Sequence, residues 1–314
     1  MTGLPYLDAE VLRKTVPMGR AVQVLKEALV DGLDPEQGTL RSALDVPAGQ
    51  VLTMPAHAGR YAGVKIVTVA PGNADRGLPR IQGAYLLMDG ETLAPLATMD
   101  GVALTSLRTP AVSAVAVDAL AVPYASSMVV FGTGPQAIGH VEAFRAVRPV
   151  ERVTVVGRHP GRTADAAAEC EALGVAAAAA GPGAAAEKAV AEADLVACCT
   201  TARTPLFPGR LARDDATVVA VGSHEPEARE VDDALVTRAT VVVESRSAAL
   251  AEAGDIIIPM RGGAITVGHI AGNLAELLTG RIVRGAGPAF FKSVGMAWED
   301  LVVAVAAYEA WAAR

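Results

Sequence analysis

Cysteine is scarce in this chain, three among 314 residues. Cys170, Cys198 and Cys199 have the paired spacing of neither a metal site nor a disulfide framework, and no metal is expected. Cys198 and Cys199 lie in an apolar run and should behave as small buried hydrophobes. Aromatic residues make up only 4%, which argues against a pocket walled by stacked rings and toward a small aliphatic ligand. No uncharged run is long enough to span a bilayer. The first residues have neither a basic n-region nor an apolar h-region, so a cytoplasmic location and no membrane partner are expected. Basic runs are missing too. With a formal net charge of −7 and no clustered Lys or Arg, nucleic-acid binding is excluded as a function class. The alanine-rich patch at 176–186 reads as a compositional feature near a surface turn. What the chain does have is 52% apolar residues and length enough for two domains with a sizeable core.

The most informative stretch is Met128-Val129-Val130-Phe131-Gly132-Thr133-Gly134-Pro135-Gln136-Ala137. Apolar residues run straight into a glycine turn, and a helix follows with Ile138, Val141, Phe144 and Val147 as its apolar stripe and His140, Glu142, Arg145 and Arg148 facing away. This is the strand–turn–helix of a dinucleotide-binding unit. Gly132 makes the tight turn, Gly134 lets the backbone approach a pyrophosphate, and Ala137 takes the third small position. The first turn of the helix presents unpaired N–H groups to the anion.

Ahead of this unit, Val22, Leu25 and Leu29 mark an amphipathic helix. Val51–Met54, Val64–Val69 and Ile81–Met88 read as strands, Asp89-Gly90 as a hairpin turn and Leu93–Met99 as the returning strand. A helix is expected over Ala111–Leu120, with the Val122-Pro123 break marking the passage between domains. Beyond Ser127, Val153–Gly157, Leu195–Cys199, Thr217–Val221 and Thr240–Val243 are short apolar strands alternating with helical segments, the pattern of a parallel doubly wound sheet. A helix over Ile270–Leu278 and a last one carrying Trp298, Leu301, Val305 and Tyr308 follow. The fold class is therefore α/β: a Rossmann domain over 119–295, with an α+β substrate and dimerisation domain over 1–118 plus 296–314.

The second strand of the nucleotide unit discriminates between cofactors. An NAD site ordinarily ends that strand with an acid on the ribose hydroxyls. Here it ends Val156-Gly157-Arg158-His159-Pro160-Gly161-Arg162. Arg158 and Arg162 suit a 2′-phosphate held by paired hydrogen bonds, so NADP(H) is preferred and NAD(H) remains possible; solvated loop arginines are the alternative. The expected cofactor-binding residues here are Gly132, Thr133, Gly134, Pro135, Gln136, Ala137, Arg158, Arg162 and Thr200.

Lys65 lies in Val64-Lys65-Ile66-Val67-Thr68-Val69, apolar on both faces. An ammonium buried there must meet an anion or change its protonation state, which makes it a candidate proton donor or carboxylate partner; a lysine snorkelling from an edge strand is the alternative. Arg108 precedes Thr109-Pro110, and a helix starting at that pair would set the guanidinium beside a helix N-terminus, a carboxylate site. Thr105 is another possible cap. Arg41 alone reads as a surface charge.

Five motifs in order, Gly63-Val64-Lys65, Leu104-Thr105-Ser106-Leu107-Arg108-Thr109, the Gly132–Ala137 turn, Glu244-Ser245-Arg246 before Gly254-Asp255-Ile256, and Phe291-Lys292-Ser293-Val294-Gly295, resemble the ornithine cyclodeaminase/μ-crystallin family over essentially the whole chain. The resemblance implies a homodimer built through the N-terminal sheet and an active site between the domains. It further implies that Arg41, Lys65 and Arg108 bind and polarise the substrate carboxylate and imine, with Thr109 near the phosphates and Ser293 near the nicotinamide. Two departures matter. Cyclodeaminases carry Asp where His224 stands in Gly222-Ser223-His224-Glu225-Pro226, and Glu where Leu52 stands. Both acids that would handle an extra amino group are missing. The expectation is thus an NAD(P)H-dependent reductase of a small α-imino acid, such as pyrroline-2-carboxylate or piperideine-2-carboxylate, or an amino-acid dehydrogenase. Lys65 would be the donor, and His224 either a second proton-transfer group or a loop-end histidine. A cyclodeaminase with bound NAD and a μ-crystallin-like NADPH and small-ligand carrier are the alternatives.

Overall fold

The structure, a computed structural model, describes residues 3–314 except for the side chain of Ala74. The chain falls into two compact units: the residues up to Thr109 with Met296–Arg314, and Pro110–Gly295.

The first unit opens with β1 (Tyr6–Leu7), α1 (Ala9–Thr15) and α2 (Met18–Val30), followed by β2 (Ser42–Val46), β3 (Gly49–Ala58), β4 (Tyr61–Val69), β5 (Ile81–Asp89) and β6 (Pro95–Asp100). These strands form one sheet in the order β1-β6-β5-β4-β3-β2, antiparallel except for the β1–β6 pair. β5 turns at Asp89, whose carboxylate accepts from the Glu91 and Thr92 amides, the local bonding that makes an Asp-Gly hairpin. The inner face carries Leu52, Met54, Lys65, Tyr85 and Leu87, all buried. α1 had no counterpart in the sequence reading.

α3 runs Gly101–Leu120, ten residues earlier than the expected start at Ala111. Asp100 supplies the cap, its Oδ1 accepting from the Val102 and Ala103 amides at 2.9 Å each. Thr109-Pro110 is therefore not a helix start; Pro110 lies inside the helix, at the expense of one backbone hydrogen bond. Arg108 is consequently mid-helix, and the helix-terminus argument for a carboxylate site there falls. For the same reason the two units meet at Thr109 and Pro110, inside α3, and not at 118–119.

The second unit comprises β7 (Ser127–Phe131), α4 (Pro135–Arg145), β8 (Arg152–Val156), α5 (Pro160–Ala172), β9 (Ala176–Ala180), α6 (Ala184–Glu192), β10 (Leu195–Cys198), β11 (Thr217–Ala220), α7 (Asp233–Arg238), β12 (Thr240–Val243), α8 (Arg246–Glu252), α9 (Gly254–Arg261), β13 (Ile270–Asn273), α10 (Leu274–Leu278) and β14 (Ala289–Lys292). Its sheet is β13-β12-β14-β11-β10-β7-β8-β9, parallel throughout. The doubly wound architecture is as expected. Three local details are not. Ile270–Leu278 is a strand and then a short helix, because Asn273 and Glu276 form a capping box that starts the helix at Leu274. The alanine run is edge strand β9 and the start of α6, since pairing with β8 outweighs the weak strand propensity of alanine. His140 does not face water; it is fully buried, with Nε2 bonded to Ser113 Oγ at 2.9 Å and Nδ1 to the Gln136 carbonyl at 2.7 Å. Burial pulls its pKa down to about 4, so it is a neutral structural bridge between α3 and α4.

α11 (Ala297–Ala312) closes the chain and lies in the first unit against β3, β4, β5 and α2. Among the described residues no helix is long and apolar enough to cross a membrane. Among the described residues no group of three or more His, Cys, Asp or Glu could hold a metal ion.

Candidate functional site

In the second unit the strand order reverses between β7 and β10, and the crevice at the carboxyl ends of those strands is where a nucleotide belongs in such a sheet. A groove of about 710 Å³ lies there, lined by Gly132, Thr133, Gly134, Arg158, Arg162 and Thr200 among others. Gly132 has φ +117°, and a Cβ on it would lie 2.5 Å from the Cys199 carbonyl oxygen. The turn needs glycine on both counts. A Cβ on Gly134 would meet nothing within 4 Å, so the space above this turn is open for a ligand. Pro135 is the first residue of α4, Gln136 follows it, and Ala137 is fully buried. Arg158 and Arg162 are exposed beside the groove, with no carboxylate at the tip of β8. Arg203, which the sequence reading passed over, lines the groove as well and pairs with Glu225 at 2.6 Å. These features fit an NAD(P) cofactor.

A buried network ties the floor of this unit together. Glu230 Oε1 accepts from the Thr200 amide and hydroxyl, each at 2.7 Å, and Oε2 accepts from the Gly222 amide at 2.8 Å. Burial pushes the Glu230 carboxyl pKa up, against the pull of Lys292. Lys292 pairs with Asp255 at 2.9 Å and donates to the Ser223 carbonyl at 2.7 Å, while Asp255 accepts from the Glu230 and Val231 amides. Glu244 takes the Ser293 hydroxyl at 2.5 Å and the Val294 and Gly295 amides at 2.9 Å. Two of the five sequence motifs, the Glu244/Asp255 pair of segments and Phe291–Gly295, thus meet as bonded partners. Ser293 is buried and held by Glu244, whereas His224 is exposed on the loop after β11.

In the first unit the chemistry-bearing residues converge on the inner face of the sheet. β4 is an interior strand and Lys65 is 2% exposed, so it does not snorkel from an edge. The anion it meets is internal: Lys65 Nζ donates to Asp300 Oδ2 at 2.7 Å and to Thr105 Oγ1 at 3.2 Å. Arg108, one turn beyond Thr105 on α3, donates from Nε to Asp300 Oδ1 at 3.2 Å and from a terminal nitrogen to Glu299. Both acids are fully buried in the first turn of α11, where the helix dipole favours negative charge. Burial and the Arg108 guanidinium pull the Lys65 pKa down to about 8, and Asp300 opposes them. Thr109 is buried next to Arg108 on α3. Arg41 is half-buried ahead of edge strand β2. Sequence reasoning missed the two acids. Their one signal is an acid pair, Glu299-Asp300, at the head of an otherwise apolar helix.

Residues 11–314 match the model of the ornithine cyclodeaminase/mu-crystallin family. The chain belongs to that family. Within it, a Δ1-pyrroline-2-carboxylate reductase of Bacillus cereus is 34% identical over 96% of this chain and 95% of its own. A Δ1-pyrroline-2-carboxylate/Δ1-piperideine-2-carboxylate reductase of Azospirillum brasilense is 38% identical over 85% and 82%. The solved structure of Thermococcus litoralis Δ1-pyrroline-2-carboxylate reductase in complex with NADH and L-proline superimposes with a TM-score of 0.92 at 32% identity, covering 99% of this chain and 98% of that one. Against the cyclodeaminase pattern of this family, Leu52 is buried on the same sheet face as Lys65, where an acid would have had to be accommodated.

Gly132→Ala is expected to destabilise the nucleotide unit by about 1–3 kcal/mol and to weaken NADPH binding, whereas Gly134→Ala should leave stability within about 0.5 kcal/mol. Denaturant melts and cofactor titrations check this; equal stability of the two variants contradicts it.

Proposed function

We propose that the protein is an NAD(P)H-dependent reductase of small cyclic α-imino acids of the Δ1-pyrroline-2-carboxylate and Δ1-piperideine-2-carboxylate type. The observation that carries the reading is a buried ammonium, Lys65, and a buried guanidinium, Arg108, both held by Asp300, with the ammonium titrating at about 8. The names of the relatives point the same way.

Reducing C=N to an amine consumes one hydride at carbon and one proton at nitrogen. A bound reduced nicotinamide supplies the hydride. The rest falls to this chain. Arg108, with Arg41, holds the substrate carboxylate by charge-assisted hydrogen bonds. Lys65 holds its proton toward the imine nitrogen, and a donor titrating near the working pH is well matched to that transfer. The surrounding apolar face excludes water and fixes the geometry, which supplies much of the rate. Gly132 to Ala137 and Thr200 hold the nucleotide, and Arg158 and Arg162 take a 2′-phosphate, so NADPH is the preferred reductant. His224, on an exposed loop, assists proton transfer at most from solvent.

The homodimer implied by the sequence has support in the first unit. The outer face of its sheet leaves Leu44 64%, Val46 37% and Ile66 46% exposed, and an antiparallel sheet that is apolar on its water side ordinarily has a partner. Sedimentation at micromolar concentration is expected to give a dimer that Ile66→Asp converts to monomer; a monomeric wild type contradicts it.

The activity test is NADPH oxidation with Δ1-pyrroline-2-carboxylate. Turnover is expected, Lys65→Met should lower kcat/KM by on the order of 10²–10⁴-fold, and Arg158→Ala should raise KM for NADPH while sparing NADH. Because Lys65 donates only when protonated, reduction should fall as pH rises through about 8, and oxidation of the cyclic amino acid should rise over the same range. Ammonia release from ornithine, or tight NADPH binding with no imine reduced, would replace this reading by a cyclodeaminase or a carrier respectively.

A further inference from the structure

Every element packed around Lys65 presents something to it. From α11 come Asp300, at 2.7 Å, and Glu299. From α3 come Thr105, at 3.2 Å, and the positive charge of Arg108. From β5, directly across the strand pair, comes Tyr85, fully buried, its hydroxyl without a hydrogen-bond partner among the described residues. Burial, with Asp300 nearby, holds that phenol well above its ordinary pKa, so it stays neutral. From β3 comes Met54, which carries no charge. Asp300 bonds both cations, Oδ2 to Lys65 and Oδ1 to Arg108.

A buried ion pair is a weak source of stability, and apolar side chains of similar volume commonly do as well. Four buried charges from β4, α3 and α11 on the inner face of one sheet therefore call for another reason. We propose, building on the role of Lys65 given above, that Asp300 is a positioning residue that keeps Lys65 protonated at neutral pH and locks it to Arg108, so that proton donor and carboxylate clamp move as one body. Without Asp300, burial and Arg108 would both drive the ammonium toward its neutral form, and reduction would have no donor. With it, the negative charge left unbalanced when Lys65 gives up its proton draws a proton back, which resets the site for the next turnover. Glu299 pairs with Arg108 from the same turn of α11.

The chain has only five lysines, Lys14, Lys26, Lys65, Lys188 and Lys292, so a ¹³C-lysine NMR titration of the full-length protein resolves them, with Lys65→Arg assigning the signal. Lys65 is expected to titrate near 8. In Asp300→Asn it should titrate about 1–3 pH units lower, and the alkaline limb of kcat/KM should move with it, while the Lys292 signal and the NADPH Kd stay in place. Asp300→Glu should restore the titration with a lower kcat. A folded Asp300→Asn whose Lys65 titration and pH limb are unmoved overturns the proposal. Should Asp300→Asn not fold, Lys65→Met/Asp300→Asn is expected to recover folding because the stranded ammonium is gone; a double variant that also fails to fold overturns the proposal. The titration needs no substrate, so a wild type inactive on every imino acid would remove the assigned reaction while the Lys65–Asp300 coupling is still read directly.

Discussion

One carboxylate holding two cations out of water is the constraint on which the first unit depends. Lys65 and Arg108 come from a strand and a helix, and neither charge is tolerable on the inner face of a sheet without a counter-charge. Asp300 and Glu299 supply it from the first turn of α11, where the helix dipole favours negative charge. The four charges sum to zero, and removing any one leaves another stranded, a loss of about 3–5 kcal/mol in buried pairs generally. Binding α11 to the sheet by ion pairs as well as by apolar packing also fixes the guanidinium in direction, which its proposed role in holding a carboxylate requires.

The nucleotide unit solves a different problem with the same device. Parallel strands end in loops that carry the ligand contacts, and loops have no ladder to hold them. Glu230 gathers the ends of β10 and β11 through the Thr200 and Gly222 amides, Asp255 and Lys292 join α9 to β14, and Glu244 pins the Ser293–Gly295 segment. Each acid accepts backbone N–H groups at loop ends, so each contributes most by what its loss would strand. Rigid loop ends let a nucleotide bind without first ordering its site.

The elements legible in the sequence were those with local causes. Gly132 could be read because a tight turn after an apolar strand leaves few choices of residue, and the burial of Lys65 because its neighbours are apolar at both parities. Asp300 could not be read, since 235 residues separate it from Lys65 and no periodicity reveals which strand a distant helix will cover. The start of α3 was misplaced because Thr109-Pro110 carries a genuine helix-start signal, yet Asp100 caps earlier and tertiary packing carries the helix through the proline. His140 was placed on the water side by the helix period of α4 alone; Ser113 on α3 makes that side an interior one.

The proposed reaction makes one demand: a planar α-carboxylate ligand must seat against Arg108 and Lys65. The most direct measurement is calorimetric titration of pyrrole-2-carboxylate, a planar and unreactive mimic of the imine, into the protein saturated with NADP⁺. Saturable binding in the wild type is expected, weakened by on the order of 10–100-fold in Arg108→Lys, which keeps the charge but loses the fork geometry. Binding undiminished in both Arg108→Lys and Lys65→Met would contradict the assignment of the site.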